Sequence, residues 1–320
     1  MPKTGCWSVP RLEGRIRLDQ LMVRFLPRES RSQIQNWIRS GWLRVNGRMV
    51  KTGEVLREGD QIVLDLPAAL PEAPYPEEIP LKVLYRDDDL AVIEKPSGMV
   101  CHIGAGVRSG TLVNALLHHL GPLQSGDPMR PGIVHRLDKP TSGLLVVARN
   151  NEAHRGLAQQ FKSRRVTKIY TALVYGIPKP ASGTVDLPLG RDPKDRKKFS
   201  VRARRHRKAV THYSLIREIG PFSLLDVRIE TGRTHQIRVH LAQKGHPIVG
   251  DALYGGKRSA NVAPAIADVM PERLFLHACQ LEFHHPRTGD FMKFTSLIPQ
   301  ELEDVLARIA RLLRGEQSRT

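Results

Sequence analysis

The sequence predicts an α+β protein. A larger domain with a mixed, largely antiparallel sheet and flanking helices follows a small α+β domain. Three observations predict this. The chain has 320 residues, and at about 150 residues per domain that suggests two domains. Residues 67–80, PAALPEAPYPEEIP, hold five prolines, three glutamates and no basic residue. Proline neither continues a helix nor donates to a ladder, so this stretch reads as an extended linker. Beyond it, strand-like alternation mixes with short helices without regular βα alternation, which disfavours a doubly wound sheet. The expected boundaries are residues 1–66, the linker 67–80, the larger domain 81–300, and a C-terminal helix and tail over 301–320.

In the first domain, Leu18, Leu21, Met22 and Phe25 follow helical spacing, and Pro27 stops that helix. Ser30 starts a second helix with Gln33 in a capping-box position, Ile34, Trp37 and Ile38 form its apolar face, and Gly41 ends it. In LRVNGRMV, Asn46-Gly47 lies between apolar residues, a strong hairpin signal. A strand around 61–66 closes the unit. Helix, helix and a VNG hairpin over about residues 15–66 resemble the S-four-type RNA-binding domain. The resemblance implies phosphate contacts from Arg28, Arg31, Arg39, Arg44, Arg48 and Lys51, although each taken alone also reads as a solvated surface charge.

In the larger domain, DLAVIEKPSG reads as a strand ending in a turn, and Leu112, Leu116 and Leu120 mark a helix, as do Leu157 and Phe161. Leu225, Val227 and Ile229 alternate with Asp226, Arg228 and Glu230, the pattern of a half-buried strand. Leu302, Val305, Leu306 and Ile309 form one face of a closing helix whose acids lead and arginines trail, as the macrodipole favours.

Charge narrows the function. Fifty Lys+Arg against 32 Asp+Glu leave a formal net charge of +18, which points to a polyanionic partner, most commonly nucleic acid. The first 66 residues hold 12 basic and 7 acidic side chains, and residues 191–208, RDPKDRKKFSVRARRHRK, hold 10 basic and 2 acidic. The second run reads as a mobile RNA-gripping loop, with Lys197, Lys198, Arg202, Arg204, Arg205 and Arg207 as candidate contacts. Three scattered cysteines without a CxxC exclude a disulfide framework or a cysteine zinc site and suit a reducing cytosol. The start lacks a signal-peptide pattern, and no apolar run approaches a membrane span. A cytoplasmic monomer is expected.

Two segments carry the chemistry. In PGIVHRLDKPTSGLLVVARN, residues 131–150, two strand-like runs flank a polar turn, so Asp138 is a carboxylate on a rigid elbow or a turn residue bonding its own backbone. In TGRTHQIRVHL, residues 231–241, Arg233 projects at a strand-to-helix corner or is a plain surface arginine, and Thr234 is placed to cap the helix.

Together HRLDKPTSG and TGRTHQIRVHL resemble the signature stretches of the pseudouridine synthases that modify ribosomal and transfer RNA. KIYTALVYG at 168–176, EKPSGMVCHIGAG at 94–106, VGDALYGG at 249–256 and LHACQLEFHHPRTG at 276–289 extend the resemblance over about residues 80–298. It is greatest to the members acting on large-subunit ribosomal RNA, those designated C and D, and D in particular. The resemblance implies that Asp138 is the catalytic aspartate, that Tyr170 stacks on the target uracil, and that Arg233 pairs with the aspartate. Lys95, His102, Arg136 and His235 lie in matching segments without an assigned role.

The implied reaction breaks the bond between uracil N1 and ribose carbon 1′ and rejoins the base through carbon 5. It needs neither redox chemistry nor hydrolysis, so no cofactor and no metal are expected. The target uridine must leave the stack, at a cost of a few kcal/mol. The carboxylate can attack carbon 1′ or remove a proton from carbon 2′. Alternatives are a transfer RNA substrate, a non-catalytic ribosome-associated RNA-binding protein, or a glycoside or nucleoside hydrolase. The last typically needs two carboxylates flanking the bond, and only one is borne on a motif.

Overall fold

The computed structural model describes residues 4–11, 14–27, 29–66, 73–104, 107–195, 197–203, 205–256 and 264–317. Arg28, Arg204 and the first six linker residues lie outside these. The chain divides into two compact units, Met1–Glu72 and Ala73–Thr320.

In the first unit, β1 (Thr4–Ser8) precedes helices α1 (Leu18–Phe25) and α2 (Arg31–Arg39). Leu18, Leu21 and Met22 of α1 and Ile34, Trp37 and Ile38 of α2 share one core. The Ser30 hydroxyl accepts the Gln33 N–H at 3.2 Å, which satisfies a free donor of the first turn of α2. Strands β2 (Leu43–Val45), β3 (Arg48–Met49) and β4 (Gln61–Asp65) complete an antiparallel sheet in the order β1-β4-β2-β3. Asn46 and Gly47 join β2 to β3 with φ of 49° and 74°, the left-handed pair that such a two-residue turn demands.

The second unit begins with β5 (Lys82–Arg86), β6 (Leu90–Lys95), α3 (Leu112–Leu120), β7 (Ser142–Ala148), α4 (Asn151–Lys162) and β8 (Thr167–Tyr175). Next come β9 (Ser182–Asp186), the short pair β10 (Gly190–Arg191) and β11 (Phe199–Ser200), β12 (Val210–Ile219), β13 (Phe222–Ile229) and α5 (Gln236–Gln243). Then follow α6 (Pro264–Ala267), β14 (Leu276–His284), β15 (Phe291–Thr295) and α7 (Gln300–Gln317). The main sheet runs β5-β6-β7-β14-β8-β13-β12-β9, with β15 on β14, and among its pairings only β7–β14 is parallel. The expected α+β class with a largely antiparallel sheet is therefore present. Among the described residues, no helix is long and apolar enough to cross a membrane.

Both faces of the central strands are covered. In β6, Leu90 and Val92 share a core with Ala153 and Leu157 of α4, whereas Ala91 and Ile93 belong to a second core that includes Leu112 and Leu116 of α3. This two-sided burial explains why LAVI reads as a continuous apolar run.

One expectation changes. GIVHRL, ahead of Asp138, is not a strand. It runs antiparallel beside β7 with a single bridge, Ile133 to Val147, and beyond that the backbone N–H of Val146 is taken by Nε2 of His135 at 3.1 Å instead of by a ladder partner. Asp138 thus ends a loop and opens a turn, closed by Thr141 N–H donating to the Asp138 carbonyl at 3.1 Å, that feeds β7.

The parallel pair requires close approach. Gly143 of β7 has φ of 116°, and a Cβ there would lie 2.3 Å from the Ala278 carbonyl oxygen of β14. Gly143→Ala is expected to destabilise the protein by about 2–4 kcal/mol through strain and overpacking. Urea titration checks this, with Gly232→Ala as the control because a Cβ at Gly232 meets nothing within 4 Å.

Candidate active site

Asp138 and Tyr170 line one cavity of about 530 Å³, with Arg130, Arg136, Arg164, Lys168, Arg233 and Arg238 among its basic walls. A second cavity, of about 710 Å³, shares Asp138, His102, Arg136, His235 and Arg238 with the first. The Asp138 side chain is 15% exposed and stands between the two.

The Asp138 turn is braced from below. Lys95 ends β6 fully buried, and its ammonium donates to the carbonyls of Pro96, Met99 and Lys139 at 2.7, 2.9 and 3.3 Å. Gly98 N–H also donates to the Lys139 carbonyl, and the Ser97 hydroxyl to the Pro140 carbonyl, each at 2.8 Å. Burial pulls the Lys95 ammonium down to about 8.

The guanidinium beside Asp138 is not that of Arg233. Arg233 lines the same cavity, but its Nε donates to the Lys208 carbonyl at 3.2 Å. The group facing Asp138 is Arg238, whose Nη1 lies 3.5 Å from Asp138 Oδ2. Arg238 Nε and Nη2 donate to the two oxygens of Asp251, each at 2.8 Å. Asp251 also accepts the N–H groups of Leu253 and Tyr254, at 3.0 and 3.1 Å. The physical reason is the αL backbone of His235, with φ of 58°, which starts α5 one residue after Thr234 and turns Arg238 inward. Thr234 is accordingly not the cap; instead the Gln236 side-chain oxygen accepts the Arg233 N–H at 3.1 Å. Residues 236–241 are all buried, so a charge at 238 required partners. The signal was the arginine inside an otherwise buried helix, matched by the aspartate of GDALYG.

Tyr170 sits in β8 between Val227 and Ala278 of the neighbouring strands. Burial, with the nearby Asp138 charge, pushes its hydroxyl well above the usual tyrosine range, so it stays neutral at ordinary pH. His135 is pushed down to about 3 by burial, which agrees with Nε2 accepting the Val146 N–H as a neutral ring.

The basic run after residue 190 is folded back on itself. β10 pairs with β11, Leu189 and Arg207 exchange backbone hydrogen bonds, and Phe199 N–H donates to the Tyr254 hydroxyl at 2.8 Å. The expected mobile loop is thus a hairpin anchored beside the site. Lys197, Arg202, Arg205 and Arg207 are exposed on it, and Lys198 is half-buried. In the first unit, Arg31, Arg39, Arg44, Arg48 and Lys51 are exposed. Arg31 is held 3.1 Å from buried Asp19, Arg39 bonds the Asn36 side chain, and Arg44 donates to the Gly41 carbonyl at 2.9 Å.

Lys168, also in the cavity wall, is 8% exposed, with its ammonium 5.6 Å from the Phe161 ring centroid, and burial lowers it to about 8. Below pH 8 the folded protein carries this buried charge at a cost; between about 8 and 10.5 it releases a proton that the unfolded chain retains, so the cost disappears as pH rises. Lys168→Met is therefore expected to raise stability at pH 7 by roughly 1–3 kcal/mol. The advantage should shrink toward pH 10 in urea titrations.

The RNA pseudouridylate synthase profile matches residues 89–243, and the S4 domain profile matches residues 16–62. A chain from Aquifex aeolicus described as an uncharacterized RNA pseudouridine synthase is 45% identical over 293 residues, covering 90% of this chain and 92% of that one. Ribosomal large subunit pseudouridine synthase D of Pseudomonas aeruginosa is 39% identical over 300 residues, covering 92% of each. Among solved structures, human RNA pseudouridylate synthase domain containing 4 superposes with a TM-score of 0.53 at 28% identity, covering 71% of this chain and 92% of that one. With an S4 domain at its start and relatives matched over nearly their whole length, this chain belongs to the RNA pseudouridine synthases, which are isomerases.

Proposed function

We propose that this enzyme isomerises uridines of large-subunit ribosomal RNA and that Asp138 is the carboxylate that reacts at the ribose. The observation that carries the site assignment is the convergence of Asp138, Tyr170 and Arg238 on one cavity with basic walls. The target class is supported by the similarity to the Pseudomonas synthase named for the large ribosomal subunit. A ribosomal substrate places the enzyme in the cytoplasm.

The geometry suggests a division of roles. Asp138 attacks carbon 1′ or takes the proton from carbon 2′; both routes use one oriented carboxylate. Arg238 orients it, and Asp251 in turn fixes Arg238 by a two-point fork. Tyr170, neutral by burial, supplies a flat face for the uracil and a neutral hydroxyl near carbon 5, not an anionic base. Arg233 stands at the cavity rim, where it suits a phosphate better than the reacting carboxylate. The exposed cations of the first unit (Arg31, Arg39, Arg44, Arg48 and Lys51) and of the β10–β11 segment (Lys197, Arg202, Arg205 and Arg207), with the half-buried Lys198, supply affinity for the RNA backbone. Binding is then sequence-tolerant, and positioning of the flipped base falls to the cavity.

Asp138→Asn is expected to abolish tritium release from RNA carrying tritium at carbon 5 of uridine while leaving RNA binding intact. Release at the parental rate refutes the assignment. Carbodiimide mapping of ribosomal and transfer RNA from cells lacking the enzyme identifies the target; sites lost only from transfer RNA refute the ribosomal reading.

Asp251→Asn leaves Arg238 buried with a weaker clamp. It is expected to slow single-turnover release by up to about 100-fold, the scale of a small misplacement at a reacting centre. Arg238→Lys should be slower than Arg233→Lys, because an ammonium cannot hold a two-point fork and reach a third oxygen. The reverse order in the same assay counts against the Arg238 role.

A further inference from the structure

We propose that Tyr254 is a positioning residue that ties the seating of RNA on the β10–β11 hairpin to the arrangement of Arg238 and His235 beside Asp138. The inference rests on the reading of Asp138 as the reacting carboxylate.

Tyr254 has three engaged surfaces. Its ring lies under Arg238, with the guanidinium carbon 5.1 Å from the ring centroid, so Arg238 is held in its plane by Asp251 and on its face by an aromatic ring. Its hydroxyl accepts the Phe199 N–H at 2.8 Å and lies 2.8 Å from His235 Nδ1. A backbone amide can only donate, so the phenolic proton is free to go to Nδ1. His235 is then neutral and carries its own proton on Nε2. Burial, acting against the Asp138 charge, lowers the imidazole and agrees with a neutral ring. His235 lines both cavities that border Asp138, so its remaining N–H is a donor for an acceptor atom of the bound nucleotide.

The other end of this chain is the hairpin. Phe199 is in β11, its ring packs edgewise on the His235 ring at 5.7 Å, and Arg191 lies over it at 5.7 Å. The cations proposed to grip RNA flank this residue on both sides in sequence. A phosphate backbone settling on them sets the position of the Phe199 amide. Through one amide, one phenol and one imidazole, that position sets the His235 proton and the ring under Arg238. None of these groups has a freely rotating chain between its two contacts, so displacement at one end is passed on.

The test uses the full-length protein, large-subunit ribosomal RNA from cells lacking the enzyme, and a double-mutant cycle. Lys197→Ala with Arg202→Ala is expected to weaken RNA binding and to slow single-turnover tritium release at saturating RNA by about fivefold. Tyr254→Phe keeps the ring and removes the hydroxyl; it should slow the saturated step by about fivefold, the worth of one hydrogen bond, with little change in RNA affinity. Combined, the changes should leave the saturated rate at that of Tyr254→Phe alone, because the hairpin no longer communicates with the site. Rates that multiply to about 25-fold, or a parental rate in Tyr254→Phe, overturn the coupling. Nitrogen-15 shifts of His235 give a readout that mere packing does not move. The parent should show unprotonated Nδ1, and Tyr254→Phe should show a mixture; protonated Nδ1 in the parent overturns the proposal. Asp138→Asn is run in parallel. If it is active, both the site reading and the coupling fail; if it is inactive while the other rates multiply, only the coupling fails.

Discussion

A guanidinium cannot be taken out of water alone, and the site is organised around satisfying one. Arg238 is 5% exposed and held by Asp251, Asp138 and the ring of Tyr254. Breaking such a buried set by removing one partner costs far more than a surface ion pair, because an uncompensated charge stays behind. Arg238 itself is in helix α5, Asp138 is in the turn before β7, and Asp251 and Tyr254 are in the turn after residue 250. The ion cluster therefore fixes three separate backbone segments relative to one another. What the cluster secures is less net stability than a single arrangement of the carboxylate that the chemistry uses.

The same logic explains one buried lysine. Lys95 is fully buried under the Asp138 turn, yet each of its three ammonium protons has a carbonyl to meet. It replaces the ladder hydrogen bonds that an irregular segment cannot make, and so lets a turn rest on the sheet end without unsatisfied oxygens. In the first unit, Asp19 is buried and takes hydrogen bonds from Arg17, Arg31 and Gln35. There the carboxylate is inside and the cations outside, the right polarity for presenting arginines to a polyanion.

Much of this was legible in the sequence because local chemistry fixes it. The spacing of Leu18, Leu21 and Met22, the Ser30 cap and the Asn46-Gly47 turn need only neighbours within a few residues. Asp138 and Tyr170 were found because their segments resemble a family's motifs. What escaped depended on distant partners. GIVHRL has strand composition, but whether it pairs depends on β7, whose amide goes to His135. The resemblance points to Arg233 as the partner of Asp138; the backbone reversal at His235 that turns Arg238 inward has no strong one-residue signature. The basic run read as mobile because its composition is that of a solvated segment, while the anchor, Tyr254, is 55 residues away from Phe199.

The parallel pairing of β7 with β14 carries a consequence for synthesis on the ribosome. Ser142 and His277, bonded through the serine hydroxyl at 2.9 Å, are 135 residues apart. The turn bearing Asp138 leads directly into the first of these strands, and it cannot rest on a finished sheet until the second has emerged. At about 5–20 residues per second, that delay is on the order of ten seconds. Pairings this distant in sequence are also slow to close once both strands are present. The first unit, closed within its own 72 residues, has no such wait. The nascent chain therefore has the means to hold RNA well before it can act on it.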